Sequence, residues 1–261
     1  MTEPRTWADM TAPAIGEAAA RGDVVLLPVG AVEQHGPHLP VDTDIRLAVA
    51  VAEEVAKRQP RTLVAPPVWW GLSGYHRGFP GFLTLRPATF MALLEDLCNS
   101  ILDQGFGKLV LVVGHASNKP IAQLVVSELM QTRGVPVMQV NYLNLGAPAF
   151  ARARRSALGG DFHAGELETA LMLHVRPDLV QMERAVSRPL DPREHLGHSA
   201  ATRDIFSAGD VGVGFDLRAG FPEGVAGDAT LATAVLGADV FEAIAARACE
   251  VVDEYLSMSR R

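Results

Sequence analysis

The chain has little cysteine and no excess of positive charge, and each shortage excludes a class of protein. Its 261 residues include two cysteines, Cys98 and Cys249. Both lie in helical patterns, which favours reduced core thiols over a disulfide scaffold. The formal net charge is -7, so the chain lacks the cationic face that displaces counterions from nucleic-acid phosphates. We therefore expect no nucleic-acid partner and interpret the basic run at 152–155 as a solvated patch.

Long apolar runs are missing as well. No window reaches the roughly 18 consecutive apolar residues of a membrane-spanning helix. The first twenty residues carry acids and a proline and lack the apolar centre of a signal peptide. These absences predict a cytoplasmic chain without a membrane partner. Hydrophobic residues make up 48% of the sequence and charged residues 20%, and no repeat or long linker interrupts them, so we expect a single domain over 1–261.

Apolar runs alternate with helical patterns along the first half of the chain, and one more helical pattern lies near its end. The runs at 23–30, 62–71, 108–118 and 135–144 predict strands, and the helical patterns lie at 44–58, 88–104, 119–134 and 229–258. This alternation is typical of an α/β fold with a mostly parallel sheet covered on both faces. Beyond Tyr142 the pattern offers only a Gly-rich connection, a proline-punctuated stretch to about Arg203 and a second glycine-rich segment before the final helix.

Ligand-type side chains follow the first strand, in the stretch "VGAVEQHGPHLPVDTD". Residues two apart in an extended segment point the same way, so Glu33 pairs with His35 and Asp42 pairs with Asp44. Imidazole together with carboxylate suits zinc, manganese or iron(II), and the lack of cysteine ligands argues against a closed structural zinc site. A plainer interpretation is that Asp44 caps the following helix and His38 is exposed. This stretch alone leaves both interpretations open.

Two further clusters contain the same residue types. In "VVGHASN", His115 comes directly after a buried strand, where a lone histidine is more often a hydrogen-bonded core residue than a ligand. In "DFHAGELETALML", His163, Glu166 and Glu168 surround the start of an apolar helix. Buried carboxylates are costly without partners, which a cation would supply. Because ligands bind beyond the carboxyl ends of parallel strands, we expect these loops to converge on one rim.

Five motifs in order resemble the creatininase (creatinine amidohydrolase) family: the three stretches above together with "GFPGFLTL" and "GVAGDATLATA". The resemblance spans about Val24 to the final helix. It implies a three-layer α/β/α fold and a homo-oligomer, with a hexamer as the candidate size. It also implies two divalent metal ions per chain, zinc, manganese or iron(II), and hydrolysis of a C–N bond in a small-molecule amide.

The resemblance also implies a set of metal ligands. Glu33 and His115 would bind one metal, His35 would bind the other, and Asp44 would bridge them. Ser117 stands where creatininase proper has the glutamate that completes the second site. Many relatives instead carry a carboxylate in the "HAGE" motif, and this identifies Glu166 as the replacement ligand.

The resemblance implies supporting roles for several more residues. His163 matches the histidine proposed to shuttle protons. Glu168 would support the site from outside the ligand set or anchor its helix, and Asn118 would orient a ligand imidazole. Gln34 is a second candidate for this orienting role. Two neighbouring cations would lower the pKa of a bridging water and polarise the amide oxygen. His163, whose ordinary pKa is about 6.5, would then protonate the leaving nitrogen.

The substrate is less well specified by the sequence. The aromatic residues that clamp the substrate of creatininase proper correspond here to Leu143 and Gly159, so creatinine is not the expected substrate. Cyclic amides, formamides and short peptides remain open. Four loop residues could line a pocket, although packing is the commoner role of aromatic residues at strand ends. They are Trp69, Trp70, Tyr75 and His76. The alternative function, motivated by Ser117, is a non-catalytic relative that binds a metal or small ligand.

Overall fold

The structure is a computed structural model that describes residues 3–190, Asp204 and residues 217–258. The end of the proline-punctuated stretch and the start of the second glycine-rich segment lie outside the described residues. Within the described part of the chain, no helix combines the length and the apolar character needed to cross a membrane.

A parallel four-stranded sheet forms the centre of the fold. Its strands are β1 (Val24–Val29), β2 (Thr62–Val64), β3 (Leu109–Val113) and β4 (Met138–Asn141), in the order β2-β1-β3-β4. The first three strands are wholly buried, as their continuous apolar runs predict. Val29 pairs with Val113 at the carboxyl ends of β1 and β3. The loops that follow these two strands therefore leave the sheet side by side.

Helices cover both faces of this sheet. The described helices are α1 (Ala12–Arg21), α2 (Thr43–Arg58), α3 (Pro87–Asp103), α4 (Lys119–Arg133), α5 (Tyr142–Ala153), α6 (Glu166–Val175), α7 (Leu217–Gly220) and α8 (Ala234–Ser257). The short helix α7 packs with Phe79 and Phe162 instead of on this sheet. Helices α1, α3 and α4 pack on one face, with Leu27 and Leu111 of the sheet. Helices α2, α5, α6 and α8 pack on the other, with Leu26 and Val110. Alternate strand residues point to opposite faces, so this arrangement confirms the three-layer α/β/α fold.

The start of α2 lies directly against the ends of the two central strands because glycine follows each strand. A Cβ atom at Gly30 would lie 2.5 Å from the Cα atom of Ile45. A Cβ atom at Gly114 would lie 2.5 Å from the backbone oxygen of Asp44. Real Cβ atoms do not approach other atoms so closely. The two glycines therefore bring the first turn of α2 into the space where the ligand-bearing loops begin.

The second half of the chain holds elements that the sequence patterns did not predict. The strand expected at 135–144 ends at Asn141, whose side chain accepts a hydrogen bond from the Asn144 N–H (3.4 Å) and caps α5. A small antiparallel sheet contains β5 (Asp161–His163), β6 (Ser187–Arg188) and β7 (Ala226–Asp228), in the order β5-β7-β6. The final helix begins at Ala234 instead of Ala229, because Thr233 caps it and residues 229–231 form a separate 3-10 turn.

Candidate metal centre

Five segments deliver acidic and imidazole side chains to one place. Glu33 and His35 lie on the loop after β1, and Asp44 lies in the first turn of α2. His115 follows β3, as expected. From the other side, β5 ends at His163 and the first turn of α6 contains Glu168. The predicted convergence of distant loops at the carboxyl edge of the sheet is thus present in the structure.

Asp44 lies between two imidazole rings. Its Oδ1 atom is 3.1 Å from Nε2 of His35, and its Oδ2 atom is 3.0 Å from Nδ1 of His115. The other ring nitrogen of His115, Nε2, is 3.3 Å from Oε2 of Glu33. One carboxylate therefore links the two histidines, which is the arrangement expected of a shared ligand.

Three groups of side chains in the described part of the chain place all their candidate ligand atoms within 4.8 Å of one another. The groups are Glu33–Asp44–His115, His35–Asp44–Glu168 and Glu33–His35–His163. The first two groups share Asp44. Each combines carboxylate oxygen with imidazole nitrogen, a ligand set that suits divalent ions such as zinc, manganese and iron(II).

Of the two glutamates of α6, Glu168 lies at the centre and Glu166 does not, which is the reverse of the expectation. The carboxylate of Glu168 joins His35 and Asp44, and its Oε2 atom also accepts a 2.7 Å hydrogen bond from the Ala164 N–H. The carboxylate of Glu166 instead accepts hydrogen bonds from the N–H groups of Arg155 (2.9 Å) and Ser156 (2.8 Å). Residues two apart on a helix do not face the same side, so only one of the two can reach the centre. The structure thus places Glu168, and not the expected Glu166, in a candidate ligand group.

The centre is buried, and its charges compensate one another. Glu33, His35 and Asp44 are each at most 2% exposed. Burial favours the neutral acid, yet His35 and His115 hold the pKa of Asp44 well below its usual range. Burial opposes the charged imidazole, yet Asp44 raises the pKa of His35 to about 10. For His115, Glu33 overcomes burial in the same way and raises the pKa to about 9.

Two carboxylate oxygens at the centre remain without a hydrogen bond. Oε2 of Glu33 and Oδ2 of Asp44 are buried, and neither accepts a hydrogen bond although both lie beside the ring of His115. A buried charged acceptor without a donor is costly. A cation beside these atoms would remove that cost. Together with the mixed nitrogen and oxygen ligands, this shows that the residues fit divalent metal ions.

His163 turns one ring nitrogen towards the centre. Its Nε2 atom lies 2.8 Å from the backbone oxygen of Gln34 and 3.2 Å from the side-chain nitrogen of the same residue. The carbonyl oxygen is closer and only accepts, so we place the hydrogen on Nε2. Its Nδ1 atom is thus a free base, 3.8 Å from Oε1 of Glu33. Burial and the neighbouring charge of His35 lower the pKa of His163 to about 3, which keeps the ring neutral.

Asn118 and Asp42 lie outside the ligand groups. The side-chain amide of Asn118 donates to the Gly30 oxygen (2.8 Å) and accepts from the Leu72 N–H (2.9 Å). The Leu72 oxygen in turn lies 3.2 Å from Nε2 of His115. Asn118 therefore supports the imidazole through the Leu72 backbone instead of touching it. The carboxylate of Asp42 pairs with Arg46 (2.6 Å).

Two buried histidines, His76 and His38, have no specific role in the sequence motifs. His76 was considered only as a loop residue that could line a pocket, but its Nε2 atom lies 3.1 Å from Oε1 of Glu33. The signal that could have identified it is its place just before the "GFPGFLTL" motif. His38, which the plainer interpretation took as exposed, is buried, and its Nε2 atom lies 2.8 Å from Oγ1 of Thr169. The neighbouring aromatic residues Trp69, Trp70 and Tyr75 are exposed.

Comparison with known proteins identifies the family. Residues 8–252 match the family model Creatininase, described as creatinine amidohydrolase. The mycofactocin precursor peptide peptidase of Mycobacterium ulcerans (strain Agy99) is 34% identical over 245 residues, covering 91% of this chain and 84% of the relative. The 3-dehydro-scyllo-inosose hydrolase of Thermotoga maritima (strain ATCC 43589 / DSM 3109 / JCM 10099 / NBRC 100826 / MSB8) is 32% identical over 248 residues, covering 90% and 78%.

A solved structure supports the same assignment. A crystal structure of creatinine amidohydrolase (creatininase) superimposes with a TM-score of 0.80 at 26% identity, covering 99% of this chain and 100% of that chain. The family model extends over nearly the whole sequence, and the relatives compared here are hydrolases by name. The chain therefore belongs to the creatininase family, and it is an amidohydrolase with groups of residues that could hold divalent metal.

Proposed function

We propose that the chain binds two divalent metal ions and hydrolyses the C–N bond of an amide other than creatinine. The observation that carries the proposal is the sharing of Asp44 between two ligand groups, Glu33–Asp44–His115 and His35–Asp44–Glu168. Each group would hold one ion, and Asp44 would contact both. Zinc, manganese and iron(II) all suit these ligands, so the choice among them is a matter for reconstitution.

When bound, divalent ions at such a site supply Lewis-acid polarisation of the amide oxygen and a lowered pKa for coordinated water. The chain itself supplies the base. Nδ1 of His163 takes a proton from the attacking water and then delivers it to the leaving nitrogen, as general acid–base catalysis requires. The Gln34 oxygen holds the Nε2–H group of the same ring throughout. This contact keeps Nδ1 unprotonated and directed at the centre before each cycle.

The surroundings of the centre support a substrate other than creatinine. Leu143, at one clamp position of creatininase proper, is buried in the core beside α8, and the Gly159 N–H donates to Asp204 (3.1 Å). Neither position offers an aromatic face to a flat ring. The named relatives act on a precursor peptide and on an inosose. We propose formamides, cyclic amides other than creatinine, and short peptides as the classes to test.

The alternative of a non-catalytic metal-binding relative rests on Ser117, which cannot replace the missing glutamate. Glu168 supplies a carboxylate to the same ligand group, so that motivation is weaker than the sequence alone indicates. We also carry forward the homo-oligomer, with a hexamer as its candidate size, as a proposal that light scattering of the native protein tests.

The test of the proposed function is a substrate screen of the full chain reconstituted separately with zinc, manganese and iron(II). We expect at least one member of the three amide classes to be hydrolysed, and hydrolysis to disappear in His163→Ala while both metal ions stay bound. Full metal content with no hydrolysis across the three classes would favour the non-catalytic alternative. Activity that survives in His163→Ala would remove the base from the mechanism.

A further inference from the structure

We infer that His76 is a positioning residue that holds Glu33 for metal binding, and that Gln34 imposes the tautomer of His76 that makes this possible. The inference rests on the proposed function, since it concerns the ligand Glu33. His76 lies at the end of a short 3-10 turn, Gly74–His76, and only 4% of the residue is exposed. No motif assigned it a role, and it belongs to none of the three ligand groups among the described residues.

One backbone contact defines the orientation of the Gln34 side-chain amide. The Gly36 N–H lies 2.8 Å from Oε1 of Gln34. A backbone N–H only donates, so this contact identifies the oxygen end of the amide. The Nε2 group of Gln34, which only donates, therefore faces Nδ1 of His76 at 3.0 Å, closer than Nε2 of His163 at 3.2 Å. Nδ1 of His76 must accept that hydrogen bond, and the ring hydrogen is placed on Nε2.

The other ring nitrogen of His76 contacts the carboxylate of Glu33. Nε2 of His76 lies 3.1 Å from Oε1 of Glu33, and with its hydrogen it donates to that oxygen. The second oxygen of Glu33, Oε2, accepts no hydrogen bond and lies 3.3 Å from Nε2 of His115. His76 thus occupies one oxygen of Glu33 and leaves the other available on the side of His115 and Asp44. Outer partners of this kind orient ligands and strengthen metal binding.

Gln34 is itself held by close packing. A Cβ atom on Gly224 would lie 1.9 Å from Oε1 of Gln34, and Gly224 has φ of +75°, so only glycine leaves room for the amide there. The backbone oxygen of Gln34 also accepts from Nε2 of His163, and the rings of His76 and His163 lie 4.7 Å apart. One residue therefore sets the tautomers of two neighbouring histidines, through its side chain for His76 and through its backbone for His163.

The tautomer can be measured directly in the metal-free, full-length protein. Long-range ¹H–¹⁵N correlation spectra of ¹⁵N-histidine-labelled protein distinguish the two neutral forms, and the signal missing in His76→Gln assigns His76. We expect His76 to carry its hydrogen on Nε2 only. We expect Gln34→Met, which keeps the side-chain length but removes the donor, to populate the Nδ1–H form. A wild-type His76 with its hydrogen on Nδ1 would overturn the inference without any variant having to fold.

The effect on the ligand is measured by titrating apo protein with zinc and manganese. We expect His76→Leu to weaken metal binding about 10- to 100-fold. We expect His76→Gln, whose amide N–H can replace Nε2–H, to stay within about threefold of wild type. Equal affinity in wild type and a folded His76→Leu, or equal losses in both variants, would overturn the positioning role. A wild-type protein that binds no metal would contradict the proposed function instead, and the tautomer measurement would then decide the inference alone.

Discussion

The carboxylates of Glu166 and Glu168 start two residues apart on α6 and end in different surroundings. Glu168 reaches His35 and Asp44, whereas Glu166 accepts hydrogen bonds from the backbone N–H groups of Arg155 and Ser156. We therefore expect Glu168 to serve the metal centre and Glu166 to fasten the end of α5 to the start of α6. The same substitution at each position should separate the two roles.

We predict that Glu168→Gln lowers the metal content from two ions per chain to about one. The group His35–Asp44–Glu168 would lose the carboxylate that it does not share with the other group. Glu166→Gln should keep both ions. It should also lower the free energy of unfolding by about 1–3 kcal/mol, because the NH₂ group of the amide would replace one accepting oxygen and face a backbone N–H group. Elemental analysis and urea unfolding measure the two effects. If Glu166→Gln loses an ion and Glu168→Gln does not, the original assignment from the sequence was right.

The shared position of Asp44 leads to a second prediction. Asp44→Asn should lower the content of both ions, since the carboxylate belongs to two ligand groups. Asp42→Asn is the matched control, because Asp42 pairs with Arg46 and belongs to neither group. We expect fewer than one ion per chain in the first variant and wild-type content in the second. Loss of a single ion in Asp44→Asn would show that the two groups do not share this ligand.

A further prediction concerns Asn118, which supports the imidazole of His115 through the Leu72 backbone. Asn118→Ala removes a buried donor to the Gly30 oxygen and a buried acceptor for the Leu72 N–H. We expect a loss of about 1–3 kcal/mol in the free energy of unfolding. We also expect weaker metal binding, because Leu72 in turn contacts His115. Urea unfolding of the apo protein and metal titration are the measurements. Unchanged metal affinity in a destabilised variant would limit Asn118 to a purely structural role.

The close approach of α2 to the sheet can be tested with a pair of glycine substitutions. Gly114→Ala would place a Cβ atom 2.5 Å from the Asp44 oxygen, so we expect it to lower both stability and metal content. Gly16 lies in α1 with nothing within 4 Å of an added Cβ. Gly16→Ala should therefore raise the free energy of unfolding by about 0.5–1 kcal/mol. A Gly114→Ala protein with wild-type metal content would contradict the role given to this glycine.

The sequence predicted the first half of the fold well because its signals there are strong. Strands β1 and β3 are continuous apolar runs, and α2 to α4 have regular apolar spacing and clear ends. Helix α5 was missed because Gly146 and Pro148 interrupt its pattern, and tertiary packing on α8 outweighs their poor propensity. The strands of the small sheet have two or three residues each, too few to show any period.

In the metal centre, too, the sequence predicts the positions of some residues and not of others. The meeting of Glu33, Asp44 and His115 follows from the rule that parallel strands end at one edge. The choice between Glu166 and Glu168 depends on the rotation of α6 about its axis, which contacts with Arg155 and Ala164 determine and which no local pattern records. His76 escaped a specific role because its short turn belongs to no strand end and to no periodic segment.

The most direct test of the account is a crystal structure of the zinc-reconstituted protein with data collected on both sides of the zinc absorption edge. We predict two anomalous peaks, one beside Glu33 and His115 and one beside His35 and Glu168, each within bonding distance of a different oxygen of Asp44. A single peak, or peaks that the Asp44 carboxylate does not contact, would contradict the central claim.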